Sequence, residues 1–296
     1  MFFAGIDGGG THTRLELRNE NNQVLERRVF GPFNINSIGP DAFRTLLERV
    51  FAYCGDMARC SGVCVGGAGI SNPLTGKILE ECLKKAGFTG KWKLCGDQEI
   101  ALRGALDVPG MILIAGTGSI CFGKNAEGKT ARTGGYGHIL DDGGSGYALG
   151  REALAAAVRY LDGRGPGKGL CEAVFSLLGA DTLEELISLV YGSLTDKARI
   201  ARCAGAVLEL AQAGDEPARE ILNTGAAELA ELVRATQKKL NLEGGPIALL
   251  GGLLETDNVY RELVSETLTP LGQVCRPNHD ALWGAAQMAW ELGQEK

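Results

Sequence analysis

The stretch Phe2-Phe3-Ala4-Gly5-Ile6-Asp7-Gly8-Gly9-Gly10-Thr11-His12-Thr13-Arg14 decides how the rest of the chain is read. Residues 2–6 are a short apolar run, ended by an acid and three glycines. Such a run reads as a buried strand and the glycines as a tight turn. Arg14 to Arg18 then alternate polar and apolar, the period of a second strand with one wet face. This strand–turn–strand start excludes two phosphate-binding readings. A P-loop ends in Lys-Ser/Thr, and both it and the dinucleotide fingerprint lead into a helix. What remains is a hairpin whose backbone N–H groups can face an anion, because residues without a Cβ let a ligand approach closely. Gly8, Gly9 and Gly10 would supply backbone donors, and Thr11 and Thr13 hydroxyls. Asp7 suits Mg²⁺ held through water, since magnesium prefers oxygen and keeps part of its hydration shell. A plain hairpin turn with no ligand fits the same residues.

Outward from this hairpin, residues 23–29 read as a third strand. Residues 40–54 carry Phe43, Leu46, Leu47, Val50 and Phe51 at helical spacing. Strands follow at 63–65 and 92–95, with helices at 78–86 and 98–106. The order β-β-β-α-β-α-β-α is one ribonuclease-H-like unit. A second apolar strand start, Met111–Ala115, meets Ser119–Lys124 across Gly116-Thr117-Gly118. Helical stretches follow at 143–160, 183–190, 200–213 and 217–240, then a strand at 247–250 and a helix at 280–292. The spacing therefore predicts an α/β chain of two ribonuclease-H-like domains with a cleft between them. The first spans 1–108 and is joined by the C-terminal helix 280–296; the second spans 109–279. Turn residues at 107–110 mark the boundary.

Composition narrows the function. The 296 residues carry a net charge of -6, against the basic surplus of a nucleic-acid binder. No run approaches the roughly 18 apolar residues of a membrane span. The first residues have the wrong flanks for a signal peptide. A cytoplasmic protein is expected, and its nine irregularly spaced cysteines read as reduced, buried thiols without a CxxC metal pair.

Four further motifs carry chemistry. Ala115-Gly116-Thr117-Gly118-Ser119 repeats the logic of the first turn, and two such turns can clamp a triphosphate. Asp97, in Gly96-Asp97-Gln98-Glu99, follows a strand and opens a helix. A carboxylate there points into a cleft and can take a proton from a substrate hydroxyl; a helix N-cap explains it equally well. The segment 134–147 holds six glycines in fourteen residues, with Tyr136 able to stack on a sugar and Asp142 able to accept its hydroxyls. Gly251 and Gly252 follow an apolar strand and permit close approach of a flat adenine ring, or simply a strand-to-helix turn with positive φ.

Together GIDGGGTHT (5–13), GDQEIAL (96–102), IAGTGSI (114–120), GGYGHILDDGGSGY (134–147), AQAGDEPAREIL (211–222) and LLGGL (249–253) resemble the BadF/BadG/BcrA/BcrD ATPase family, and within it the N-acetylglucosamine kinases. The resemblance implies an actin/hexokinase-like ATPase fold, ATP and Mg²⁺ as cofactors, and a small amino sugar as substrate, phosphorylated on a hydroxyl such as that on C6. It makes Asp97 the catalytic base. It assigns phosphate contacts to Gly9, Gly10, Thr11 and Thr117, and the adenosine side to Gly252 and Thr256. It assigns the sugar to Asn34, Ser119, Gly135, Tyr136, Gly137 and Asp142. Tyr136 stands where tryptophan is usual, and Gly143 where glutamate is usual. Related kinases are commonly homodimers. The competing readings are an ATPase activator of a 2-hydroxyacyl-CoA or benzoyl-CoA type enzyme and a kinase-fold sugar sensor. Such activators share a cysteine at the position of Leu113, and a sensor needs neither Asp97 nor two phosphate turns.

Overall fold

The computed structural model describes residues 1–192 and 197–294. The chain folds as two compact units, Met1–Asp107 with the segment starting at Pro277, and Val108–Arg276.

The first unit runs β1 (Phe2–Gly8), β2 (Thr13–Asn19), β3 (Val24–Phe30), α1 (Ile35–Ile38), α2 (Pro40–Cys54), β4 (Cys60–Gly67), α3 (Pro73–Lys85), β5 (Lys91–Gly96) and α4 (Asp97–Ala105). Its sheet has the order β3-β2-β1-β4-β5. The hairpin pairs are antiparallel, with Ile6 opposite Leu15, and β1-β4 and β4-β5 are parallel. The second unit runs β6 (Gly110–Ala115), β7 (Ser119–Lys124), β8 (Thr130–Gly134), α5 (Gly146–Leu161), α6 (Lys168–Leu178), α7 (Leu183–Gly192), α8 (Lys197–Ala201), α9 (Cys203–Gln212), α10 (Glu216–Leu240), β9 (Gly244–Leu250), α11 (Val259–Leu268) and β10 (Gly272–Cys275). Its sheet order, β10-β9-β6-β7-β8, repeats the first topology. The chain then returns to the first unit as α12 (Ala281–Gln294).

β1 is buried on both faces, which explains its unbroken apolar run. Ala4 and Ile6 join Phe43, Leu47, Val50 and Leu79 of α2 and α3. Phe3 joins Ile100, Ala285 and Ala289 of α4 and α12. Each of the larger apolar side chains here, Ile, Leu, Val or Phe, contributes about 1.5–3 kcal/mol by leaving water. Gly5 lets α12 lie against the sheet: a Cβ there would be 2.2 Å from the Ala286 nitrogen. Arg18, itself buried, fastens β2 to α12 through Gln287 and donates to the buried Glu16 at 2.7 Å.

The helix at 40–54 lies as its pattern predicts, with Pro40 in its first turn. Three differences are physical. The stretch 200–213 is two helices meeting at Arg202. β8 and β10 are short and polar or partly exposed, so they lack an apolar signal. α4 starts at Asp97, one residue earlier than the pattern predicts.

Candidate functional site

The first glycine turn is shaped by what lies behind it. Phe33 sits beneath Gly8, where a Cβ would be 2.3 Å from the ring. The turn closes through Gly9 N–H donating to the His12 carbonyl at 2.9 Å. Gly10 is exposed, and a Cβ on it would meet nothing within 4 Å. None of the three glycines has a positive φ, so backbone conformation does not call for glycine here. Thr11 is exposed, its hydroxyl 3.0 Å from His12 Nδ1. Thr13 corrects the expectation that its hydroxyl faces phosphate. It is fully buried and donates to the Gly31 carbonyl at 2.8 Å.

Two carboxylates stand near this turn. Asp7 is at the end of β1 with little exposure, and its Oδ2 accepts from Arg14 Nε at 3.0 Å and Nη2 at 2.5 Å. Arg14 Nη1 also reaches Asp280 Oδ2 at 3.1 Å. Burial pushes the Asp7 carboxyl above its usual value against the pull of Arg14, and the charges of Asp97 and Asp280 push it the same way. Asp97 is exposed at the first position of α4. Its Oδ1 accepts from Gln98 N–H at 2.9 Å, but Gly96 holds the cap position, without a side-chain bond. Asp97 therefore meets a first-turn N–H from the first helical position and not from the cap position. Asn34 caps the short α1 by accepting from Asn36 N–H at 3.0 Å. Its Oδ1 also lies where a Cβ on Gly69 would be, 2.4 Å away.

In the second unit, the Gly116-Thr117-Gly118 turn is fastened to the glycine-rich segment. Ser119 N–H donates to Asp142 Oδ1 at 3.3 Å, and Ser119 Oγ donates to the Gly143 carbonyl at 2.7 Å. Asp142 is 3 % exposed with φ 67°, a left-handed conformation that short polar side chains tolerate. Its carboxylate lies where a Cβ on Gly118 would be, 2.9 Å away. Both Ser119 and Asp142 are thus engaged internally, and neither presents a free hydroxyl or an exposed carboxylate. Gly135 and Gly137 have φ 74° and 91° on either side of Tyr136, which is 62 % exposed with the Arg132 guanidinium 5.1 Å from its ring centre. Ile139 and Leu140 beside it are exposed as well. Space that a side chain on position 143 would take is filled by the Glu228 carboxylate, 2.8 Å from the Cβ site.

A cavity of about 710 Å³ opens beside the second turn, lined by Gly116, Thr117, Gly146, Ala198, Arg199, Ala201, Arg202, Gly252 and Leu253. The two glycines after β9 differ. Gly251 has φ 90° and no room for a Cβ, which would lie 2.5 Å from the Ala115 carbonyl. Gly252 is exposed, with nothing within 4 Å of a Cβ. Thr256 is not on this lining; its hydroxyl lies 3.4 Å from Asn258 Nδ2. Sequence reasoning missed Arg14 and the α8 residues. Arg14 sits inside a strand pattern, and α8 carries no glycine or acid to mark it.

Among the described residues no three His, Cys, Asp or Glu side chains converge as a metal site. Asp7, with its Oδ2 engaged by Arg14, suits an ion such as Mg²⁺ that keeps several waters and takes phosphate oxygens. All nine cysteines are free, and burial pushes Cys60 and Cys121 up to about 12. Among the described residues no helix is long and apolar enough to cross a membrane.

These features define a chain with two repeated sheets, each opening on a glycine-turn hairpin. Residues 4–289 match the model of the BadF/BadG/BcrA/BcrD ATPase family, and the chain belongs to that family. Among its relatives, an N-acetylmuramic acid/N-acetylglucosamine kinase of Clostridium acetobutylicum is 33% identical over 97% of this chain and 98% of that protein. An N-acetyl-D-glucosamine kinase of Dictyostelium discoideum is 28% identical over 97% of each. A crystal structure of an N-acetylglucosamine kinase candidate from Chromobacterium violaceum superposes with a TM-score of 0.76, at 27% identity, over 97% of this chain and 98% of that one. The ROK hexokinase of Thermus thermophilus shares the fold, with a TM-score of 0.59 at 18% identity over 98% of each chain. The fold is the actin/hexokinase-like ATPase fold.

Proposed function

We propose that the protein is an ATP-dependent kinase that transfers the γ-phosphoryl group to a hydroxyl, that on C6, of an amino sugar of the N-acetylglucosamine kind. The observation that carries this reading is Asp97: an exposed carboxylate just past the C-terminal end of β5, the parallel edge strand of the first sheet, at the first position of α4. The kinase relatives, similar over nearly their whole length, support the substrate class.

Phosphoryl transfer has a loose transition state, so positioning and charge neutralisation dominate. The sugar hydroxyl oxygen bonds to the γ-phosphorus as the bond to the β–γ bridging oxygen breaks. The hydroxyl proton passes to an Asp97 oxygen. Gly10 and Thr11 would present N–H groups and a hydroxyl to phosphate, and Thr117 is the hydroxyl residue of the second turn with the same role. Asp7 would hold Mg²⁺ through water, and that ion would supply charge neutralisation on the phosphates. Arg14 keeps the Asp7 carboxylate in place. Asn34, Tyr136, Gly135 and Gly137 would contact the sugar. Ser119 and Asp142 would act by fixing the loop that carries those contacts.

The activator reading loses its key ligand, because Leu113 is fully buried within β6 where those proteins carry a cysteine. The test is a phosphorylation screen over amino sugars and glucose, run beside Asp97→Asn. The expected result is transfer to an N-acetylated amino sugar, with turnover of the variant down about 10²–10⁴-fold and ATP binding retained. Near-normal turnover in the variant would remove Asp97 from the mechanism.

A further inference from the structure

We propose that Arg202 covers the base of the bound nucleotide, so that the second unit grips the base through a flat guanidinium contact and not through its hydrogen-bonding edge. This rests on the kinase reading and extends it to donor specificity. The cavity beside the second turn has the volume of a small-molecule site, about 710 Å³. Thr117 places its phosphate-facing end, and the open backbone of Gly252 gives a surface that a planar ring can approach. The rest of the wall is α8 and its junction with α9. Ala198 and Ala201 keep that wall low, and Arg199 and Arg202, three residues apart, rise from it.

The chemistry of this lining is selective in what it omits. Among the described lining residues there is no Asp, Glu, Asn or Gln, so none of these side chains offers a carbonyl or carboxylate to the amino group of a base. Leu253 and the alanines supply apolar contact. The two guanidinium groups differ. Arg199 Nη2 is drawn back toward the Leu178 carbonyl at 3.4 Å. Arg202 is exposed and sits where α8 breaks before α9. A planar, weakly hydrated guanidinium lies flat on an aromatic face, whereas a lysine ammonium offers only a point-charge cation–π contact there. Such a contact tolerates any purine, and GTP should therefore serve as donor within about tenfold of ATP.

Calorimetric titration of ADP and of adenosine into the full protein, Arg202→Ala and Arg202→Lys tests this. Stacking at an exposed site predicts that both ligands weaken about three- to fivefold in Arg202→Ala and about twofold in Arg202→Lys, which keeps the charge but not the flat face. Sugar affinity and Tm should stay at wild-type values. If lysine restores wild-type affinity, or ADP alone weakens while adenosine does not, Arg202 binds phosphate and the proposal is overturned. Unchanged affinities in both variants overturn it too, while leaving the kinase reading standing. A wild-type protein that binds no ADP would bring down both.

Discussion

The two glycine turns look alike in sequence and differ in what stands behind them. Behind Gly8 is an aromatic ring, Phe33, which is 1% exposed. Behind Gly118 is a buried carboxylate, that of Asp142, held in a left-handed conformation. The first turn therefore rests on an inert apolar floor, and its neighbouring acid, Asp7, is matched by Arg14. The second turn has a negative group against it and spends the Ser119 N–H on that group. The same spacing of small residues thus yields a turn over an apolar floor in one unit and a turn tied to a buried acid in the other. Glycine repeats alone say where a backbone can come close, not which charge it meets there.

The contrast can be broken from either side. Gly8→Ala should have the largest effect. Its Cβ would overlap a ring that cannot move in a packed core, with an expected loss of about 3 kcal/mol or more in urea denaturation. Asp142→Ala comes next. It keeps the left-handed backbone, removes the acceptor of the Ser119 N–H, and should raise the sugar KM about tenfold with little change in the ATP KM. Asp142→Gly loses the same acceptor but relaxes the backbone, and should be about 1 kcal/mol more stable than Asp142→Ala. An equal stability of the two would show that the left-handed conformation costs nothing here. Gly118→Ala should cost about 1 kcal/mol, since its Cβ presses on a carboxylate and not on a ring. Gly10→Ala should be the mildest for folding, within about 0.5 kcal/mol, because nothing lies near its Cβ. Its ATP KM should nevertheless rise several-fold. An unchanged KM there would mean that the first turn does not approach phosphate.

Much of this was legible from residue patterns. The apolar run before Asp7 and the alternation after Thr13 define the first hairpin, and Pro40 with the spacing of its apolar residues defines α2. What stayed hidden depends on register and on tertiary partners. Thr13 pairs with Gly8 and Phe30, and that register turns its hydroxyl inward toward Gly31. No local signal tells this from the outward Thr11. Asp142 reads as an exposed loop acid, and only the packing of two turns buries it. Asp97 matches a cap residue by type, yet the chain reaches helical geometry one residue sooner. Arg202 lies within a continuous helical pattern, and the break there has no proline or positive-φ glycine to announce it.

The path of the chain bears on how the protein is made. Residues 108–276 form one uninterrupted unit, whereas β1 lies against α12 with Gly5 almost touching the Ala286 backbone. During synthesis the central unit can close while the earlier sheet still lacks the helix that covers Phe3 and Cys64. An exposed apolar sheet waiting on a ribosome is a target for chaperones and a hazard for aggregation. Ending translation before residue 281 should therefore leave a soundly folded middle attached to a sticky, unfinished beginning.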